Sequence, residues 1–139
     1  MAGTATPIFP QTILSPVVQI LPADTTTLKT LYTAGTNGGV VMNIHVGSTD
    51  TSSKDLQFYL SVGGTDYLLS TLAIAANSGF TNSVPMVSVF ASTQFANMLV
   101  DVNGNKALYM SAGAILKCKT LSNVTTAKAI QIIAQCGDF

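Results

Sequence analysis

Short stretches of alternating apolar and polar residues, separated by turns rich in glycine and asparagine, limit what this sequence can fold into. The turn signals recur about every dozen residues, and no stretch shows the period of an amphipathic helix. Strands of this length and spacing pack as two facing sheets or close into a barrel. The sequence therefore predicts an all-β protein of about eight strands.

The stretch from residue 40 to 46 is the clearest strand pattern. Strict alternation predicts that its residues divide between two faces: Val40, Met42, Ile44 and Val46 on one, and Val41, Asn43 and His45 on the other. Further along, Gly63-Gly64 predicts a two-residue hairpin turn, because both glycines tolerate positive φ.

The last two strand patterns set the expected state of the cysteines. Alternation places Leu116 and Cys118 inward between outward Lys117 and Lys119. The final strand buries Ile130, Ile132 and Ala134 and exposes Gln131 and Gln135. If these strands lie in opposite sheets about 10 Å apart, Cys118 and Cys136 are too distant for a disulfide, so we expect buried thiols.

The stretch between residues 81 and 98 gives weaker signals. Residues 81–90 predict a strand, interrupted by Pro85 and therefore at an edge or bulged. Ser92 is a suitable N-cap for one helical turn within residues 92–98.

Residues 1–24 differ from the rest of the chain, because they hold four of the five prolines. Proline at this density prevents a helix, yet the segment is too apolar for a disordered linker. We predict an extended N-terminal arm at 1–24 and a β-sandwich domain at 25–139. The arm packs either on its own domain or, the interpretation we favour, on a neighbouring subunit or other protein. The predicted contact residues are Ile8, Phe9, Ile13, Leu14, Val17 and Val18. On this interpretation, deleting residues 1–21 leaves the sandwich folded.

Charge is scarce, at 9% of residues, and all of it is Lys or Asp. Without Arg, a basic run or net charge, the chain lacks the footprint of a nucleic-acid-binding protein. Thr and Ser, 30 residues together, take the place of charge. An apolar surface with so few charges favours a protein that other proteins cover. No membrane partner and no small-molecule substrate are expected.

Catalytic and metal-binding patterns are missing from the sequence. The single histidine, His45, lies mid-strand without a G-x-S-x-G nucleophile turn, and we interpret it as an ordinary strand residue. The acids are scattered and fit no calcium loop. We therefore expect no enzyme activity, no metal and no cofactor. Sugar binding by a β-sandwich is the alternative, although the sequence has four Tyr and no Trp to form an aromatic platform.

Several stretches resemble small virion proteins of tailed bacteriophages. They are residues 30–35 (TLYTAG), 48–51 (STDT), 54–60 (KDLQFYL), 75–85 (AANSGFTNSVP), 101–108 (DVNGNKAL) and 135–139 (QCGDF). The likeness covers roughly residues 25–139 and is to jelly-roll capsid cement, or decoration, proteins of the kind seen on a short-tailed Bordetella phage.

The resemblance implies a two-sheet jelly-roll β-sandwich that forms a homodimer on the outer capsid. Its partners would be the major capsid protein and a second copy of itself, and its role would be to cement neighbouring capsid subunits and stabilise the expanded shell. It implies no catalytic residue. The alternative within virions is a head-fibre base or tail decoration protein with carbohydrate affinity. With no signal peptide visible, we expect synthesis in the bacterial cytoplasm and a final location on the virion.

Overall fold

The computed structural model describes residues 9–100 and 103–139. They form ten strand segments: β1 Thr12–Leu14, β2 Val17–Ile20, β3 Lys29–Thr33, β4 Gly39–Ser48, β5 Lys54–Val62, β6 Thr65–Ile74, β7 Val87–Ser88, β8 Leu108–Met110, β9 Ile115–Thr120 and β10 Ile130–Asp138. Two single-turn 3-10 helices, Pro22–Asp24 and Thr93–Phe95, lie in the connections.

The strands make two antiparallel sheets with jelly-roll connectivity. In sheet A, β1 and β2 share one edge, followed by β10, β4 and an edge shared by β7 and β8. In sheet B the order is β3, β9, β5 and β6. The ten segments thus fill eight strand positions, four in each sheet, which is the jelly-roll arrangement. The predicted all-β, two-sheet jelly-roll sandwich is confirmed.

The core lies between the two sheets and is built from the alternate, inward residues of each strand. Its largest fully buried side chains include Phe58, Leu56 and Leu116 from sheet B and Ile44 and Ile132 from sheet A. The predicted inward and outward faces of residues 116–119 and 130–135 are confirmed.

A β-bulge at Met42 reverses the alternation predicted for β4. Adjacent residues of β10 pair with Val41 and Asn43, which leaves Met42 as an extra residue. As a result Val41 is fully buried, whereas Met42 is 42% exposed. Ile44 and Val46 share the core-facing side as predicted, whereas the prediction is wrong for Val41, which joins them, and for Val40 and Met42, which do not. A bulge shifts every residue beyond it to the other face.

Part of the predicted N-terminal arm is an edge strand of sheet A. Residues 12–14 and 17–20 pair antiparallel with β10, and Val18 and Ile20 are buried in the core. Pro16 interrupts the edge, although its carbonyl still accepts a hydrogen bond from the Ala134 amide at 2.9 Å. Deleting residues 1–21 would therefore remove a sheet edge and two core side chains, contrary to our expectation. The division at residue 24 stays a prediction.

Two predicted turns are confirmed. Gly63 and Gly64 join β5 to β6 with φ of 60° and 83°. Ser92 caps the second 3-10 helix, because its side chain accepts a hydrogen bond from the Gln94 amide.

The strand predicted at residues 81–90 is largely absent. Only Val87–Ser88 pairs with β4, since Pro85 lacks an amide donor and the Gly79 amide bonds instead to the Val84 carbonyl at 2.7 Å.

Candidate protein-contact face

The outer surface of sheet A is the candidate functional site, and we call it the sheet A face. Cross-strand register fixes which side chains point away from the core. For example, Val17 pairs with Ile133, which pairs with His45, which pairs with Ser88. The outward side chains that define the face are Ile13, Val17, Gln19, Met42, Asn43, His45, Ser88, Tyr109, Gln131, Ile133 and Gln135.

Five of these side chains are large, apolar and open to solvent. Ile13 is 80% exposed, Val17 66%, Tyr109 56%, Met42 42% and Ile133 37%. Val17 and Ile133 are direct cross-strand neighbours. A clustered apolar surface of this kind marks a site of protein contact more often than scattered exposed residues do.

The polar members of the face are amides, a hydroxyl and an imidazole, and no charged side chain among the described residues belongs to it. Asn43 Nδ2 lies 2.7 Å from His45 Nε2. Because an amide nitrogen can only donate, this ring nitrogen accepts the hydrogen bond. His45 therefore has a hydrogen-bond partner two residues away on its own strand, as expected for an ordinary strand residue.

A groove of about 560 Å³ lies at one end of the sheet A face. Val40 faces outward in its floor but is only 4% exposed. The aromatic rings of Tyr109 and Phe139 lie nearly parallel, 6.5 Å apart, and Phe9 and Lys106 also line the groove.

Gly137 allows the N-terminal segment to form part of this groove. A Cβ at residue 137 would lie 2.5 Å from Cβ of Pro10, which is closer than real Cβ contacts. The absence of a side chain at this position lets Pro10 pack directly on β10.

The outer surface of sheet B, the sheet B face, is charged and internally paired. Lys117 Nζ lies 3.0 Å from Asp66 Oδ1, and the hydrogen bond from Lys117 lowers the pKa of Asp66. Lys119 Nζ lies 5.6 Å from the centre of the Tyr59 ring. Because these side chains already pair with one another, the sheet B face is suited to contact with water.

The structure divides the predicted contact residues between surface and core. Ile8 lies outside the described residues. Phe9 is 67% exposed beside the groove, and Ile13 and Val17 lie on the sheet A face. Their role in protein contact stays a prediction.

Leu14 and Val18 point the other way. Val18 is 9% exposed in the core, and Leu14 packs against the core from the edge. Val18 is therefore not available to a partner, and Leu14 is available only in part.

Sequence reasoning missed Ile133, Met42 and Tyr109. The outward position of Ile133 could have been predicted from the sequence, because Ile133 lies between outward Gln131 and Gln135 at the same strand spacing. Met42 was not, since its exposure depends on the bulge.

The two cysteines are buried in opposite sheets, Cys118 in β9 and Cys136 in β10, and both are free. The predicted buried thiols are confirmed. Burial raises the pKa of each thiol to about 12, which suppresses thiolate chemistry.

The described residues contain no group of three or more His, Cys, Asp or Glu positioned to hold a metal ion. No helix within the described part of the chain is long and apolar enough to span a membrane.

Asp50 is a fully buried carboxylate that joins the two loops crossing between the sheets. It lies in the β4–β5 loop and accepts hydrogen bonds from the Thr125 amide at 2.8 Å and the Thr125 hydroxyl at 2.9 Å, across the β9–β10 loop. The Ser52 amide and hydroxyl donate to it at 2.9 Å. Burial acts to raise the pKa of Asp50, but these hydrogen bonds outweigh burial and hold the pKa well below its usual range. Asp50 therefore has a structural role: its hydrogen bonds link the β4–β5 loop to the β9–β10 loop. We call this set of hydrogen bonds the Asp50 link.

Comparison with known proteins gives no sequence match: no family model and no curated protein matches this chain. The solved structures that are similar in fold include the following two. The nucleoplasmin-like N-terminal domain of Drosophila FKBP39 is 10% identical, with a TM-score of 0.41 over 95% of this chain and 96% of that one. A virus-like particle of the extra small virus of the prawn Macrobrachium rosenbergii is 9% identical, with a TM-score of 0.33 over 99% of this chain and 87% of that one. Both scores lie below 0.5, so neither likeness carries an argument about function.

Proposed function

We propose that this chain is a structural virion protein that binds the outer surface of a phage capsid. It acts as a homodimer that cements neighbouring major capsid subunits and stabilises the expanded shell, and it is not an enzyme. It is made in the bacterial cytoplasm and ends on the virion.

The observation that carries the proposal is the sheet A face. An exposed, apolar and uncharged sheet surface is costly to leave in water, and its composition matches the core of a protein–protein interface, where charged residues are depleted. A protein with this face and no catalytic grouping among its described residues suits a role in covering other protein surfaces.

The sequence resemblance supplies the identity of the proposed partner, because composition and fold do not. A rigid sandwich suits binding to a lattice, since many weak contacts to a repeated surface add up through avidity. A protein that binds only the expanded shell also stabilises that shell by mass action.

The test is the copy number of this protein in purified particles of the phage that encodes it, measured by quantitative mass spectrometry against the major capsid protein. We expect a ratio near one to one, as for a cement that covers the whole lattice. A few copies per particle would assign it to a vertex or the tail, and its absence from the particle would overturn the proposal.

One observation supports the alternative of a head-fibre base or tail decoration protein with carbohydrate affinity. The groove brings the Tyr109 and Phe139 rings together with the Asn43 and Gln135 amides, and aromatic faces beside amides are suited to sugar rings. A glycan array separates the two functions: binding that is lost in Tyr109→Ala would favour the alternative, and an array without signal would exclude it.

A further inference from the structure

We propose that the sheet A face is the surface through which two copies of this chain form a dimer. The inference deepens the homodimer of the proposed function, and the isolated protein tests it without any capsid. It rests on the chemistry of the face, its charge and its size.

The polar side chains of the face all both donate and accept hydrogen bonds. They are the amides of Gln19, Asn43, Gln131 and Gln135, the Ser88 hydroxyl and the His45 imidazole. A two-fold symmetric contact sets the same patch of both subunits against each other. An amide can pair with an identical amide, whereas a carboxylate or an ammonium group meeting its own copy is repelled.

None of the outward strand side chains that define the sheet A face is charged, and Lys106 lies beside them in the lining of the groove. Lys117, Lys119 and Asp66 all lie on the sheet B face. Partners of a different sequence commonly use charge to select and steer each other. A face whose outward strand side chains are all uncharged and self-complementary is best matched by a second copy of itself.

The area of the face also suits a dimer. β10 is nine residues long, and four strand positions lie side by side. At ~3.3 Å per residue and ~4.8 Å between strands, the flat surface measures about 600 Å². Side-chain relief and the groove residues add to this, which brings the face near the roughly 800 Å² per partner of a standard interface.

The variants that test dimer formation change residues in the cross-strand row of Val17, Ile133, His45 and Ser88. Val17 and Ile133 are adjacent and exposed in the single chain, so replacing either by Lys leaves the core intact. The matched control is Leu68→Lys, because Leu68 is an apolar side chain, 54% exposed, that pairs with outward Tyr59 on the sheet B face.

The experiment is sedimentation velocity of the full chain over a concentration series up to about 100 µM, with thermal melts to verify folding. We expect the wild type to sediment with twice the mass of one chain, and Val17→Lys and Ile133→Lys each to raise the dimer Kd by at least about 30-fold. Leu68→Lys should leave the Kd within about twofold.

Three results would overturn the inference: a wild type that stays monomeric throughout the series, a dimer that survives both Val17→Lys and Ile133→Lys, or a dimer that Leu68→Lys disrupts equally. If Ile133→Lys fails to fold, Val17→Lys, which changes a residue on the edge strand, still tests whether the sheet A face forms the dimer. A monomer that nevertheless decorates capsids would overturn this inference and the homodimer of the proposed function, and would leave capsid binding standing.

Discussion

The two outer faces of this sandwich share one core and one composition, yet they present opposite chemistry. The sheet B face carries Lys117 paired with Asp66, and Lys119 over Tyr59. The sheet A face carries Val17 and Ile133 among amides. A face whose charged side chains pair with one another is stable in contact with water. An uncharged apolar face is stabilised when another protein covers it. The contrast within one molecule indicates which side makes contacts.

The largest expected loss of stability comes from breaking the Asp50 link, which connects two loops that cross between the sheets. Asp50→Ala removes the fully buried carboxylate that accepts hydrogen bonds from the amides and hydroxyls of Thr125 and Ser52, and so breaks the link between the two loops. We expect the free energy of unfolding to fall by about 3–5 kcal/mol in chemical denaturation. Asp55→Ala, a change at an exposed residue near the start of β5, should change the free energy of unfolding by less than about 0.5 kcal/mol. Equal effects would show that Asp50 does not join the loops as described.

Acid should weaken the Asp50 link, because protonation of Asp50 removes the charge that its hydrogen bonds stabilise. The pKa of Asp50 is lowered in the folded protein, so its contribution to stability is present above the unfolded pKa of about 4 and is lost as pH falls below it. We expect wild-type stability to decline between about pH 4 and pH 2, and Asp50→Ala to decline less steeply. Parallel pH profiles of the two proteins would contradict this origin of the acid sensitivity.

A smaller effect should be confined to the sheet A side. Gly137→Ala places a methyl group 2.5 Å from Cβ of Pro10 and pushes the N-terminal segment away from the groove. We expect a loss of about 1–3 kcal/mol in unfolding free energy. Gly47→Ala, on the same face with its nearest atom at 3.3 Å, is the control and should cost less. A Gly137→Ala variant as stable as the wild type would mean that Pro10 does not pack on β10.

The smallest effect is expected on the sheet B face. Lys117→Ala breaks the ion pair with Asp66, but both side chains remain accessible to water, which replaces the lost contact. Stability should change least in this variant, and the difference from wild type should shrink further at about 1 M salt. A large, salt-independent loss would show that this face is covered in solution, which would reverse the comparison.

Alternation within single strands was predictable from sequence, as the positions of Cys118 and Lys119 show. Features that depend on pairing between strands were not. The bulge at Met42 exists only relative to β10, and the bond from Asp50 to Thr125 joins residues far apart in sequence. The N-terminal apolar residues were equally suited to an edge of their own sheet or to a neighbour, and pairing with β10 decided for residues 12–20.

The most direct test of the central claim is hydroxyl-radical footprinting of the protein in its assembled form, compared with a dilute monomer. Met42 and Tyr109 report on the sheet A face, and Leu68, which is 54% exposed and pairs with outward Tyr59, reports on the sheet B face. We predict that assembly protects Met42 and Tyr109 and leaves Leu68 as reactive as before. Protection of Leu68 with unchanged reactivity of Met42 and Tyr109 would contradict the assignment of the contact face to sheet A.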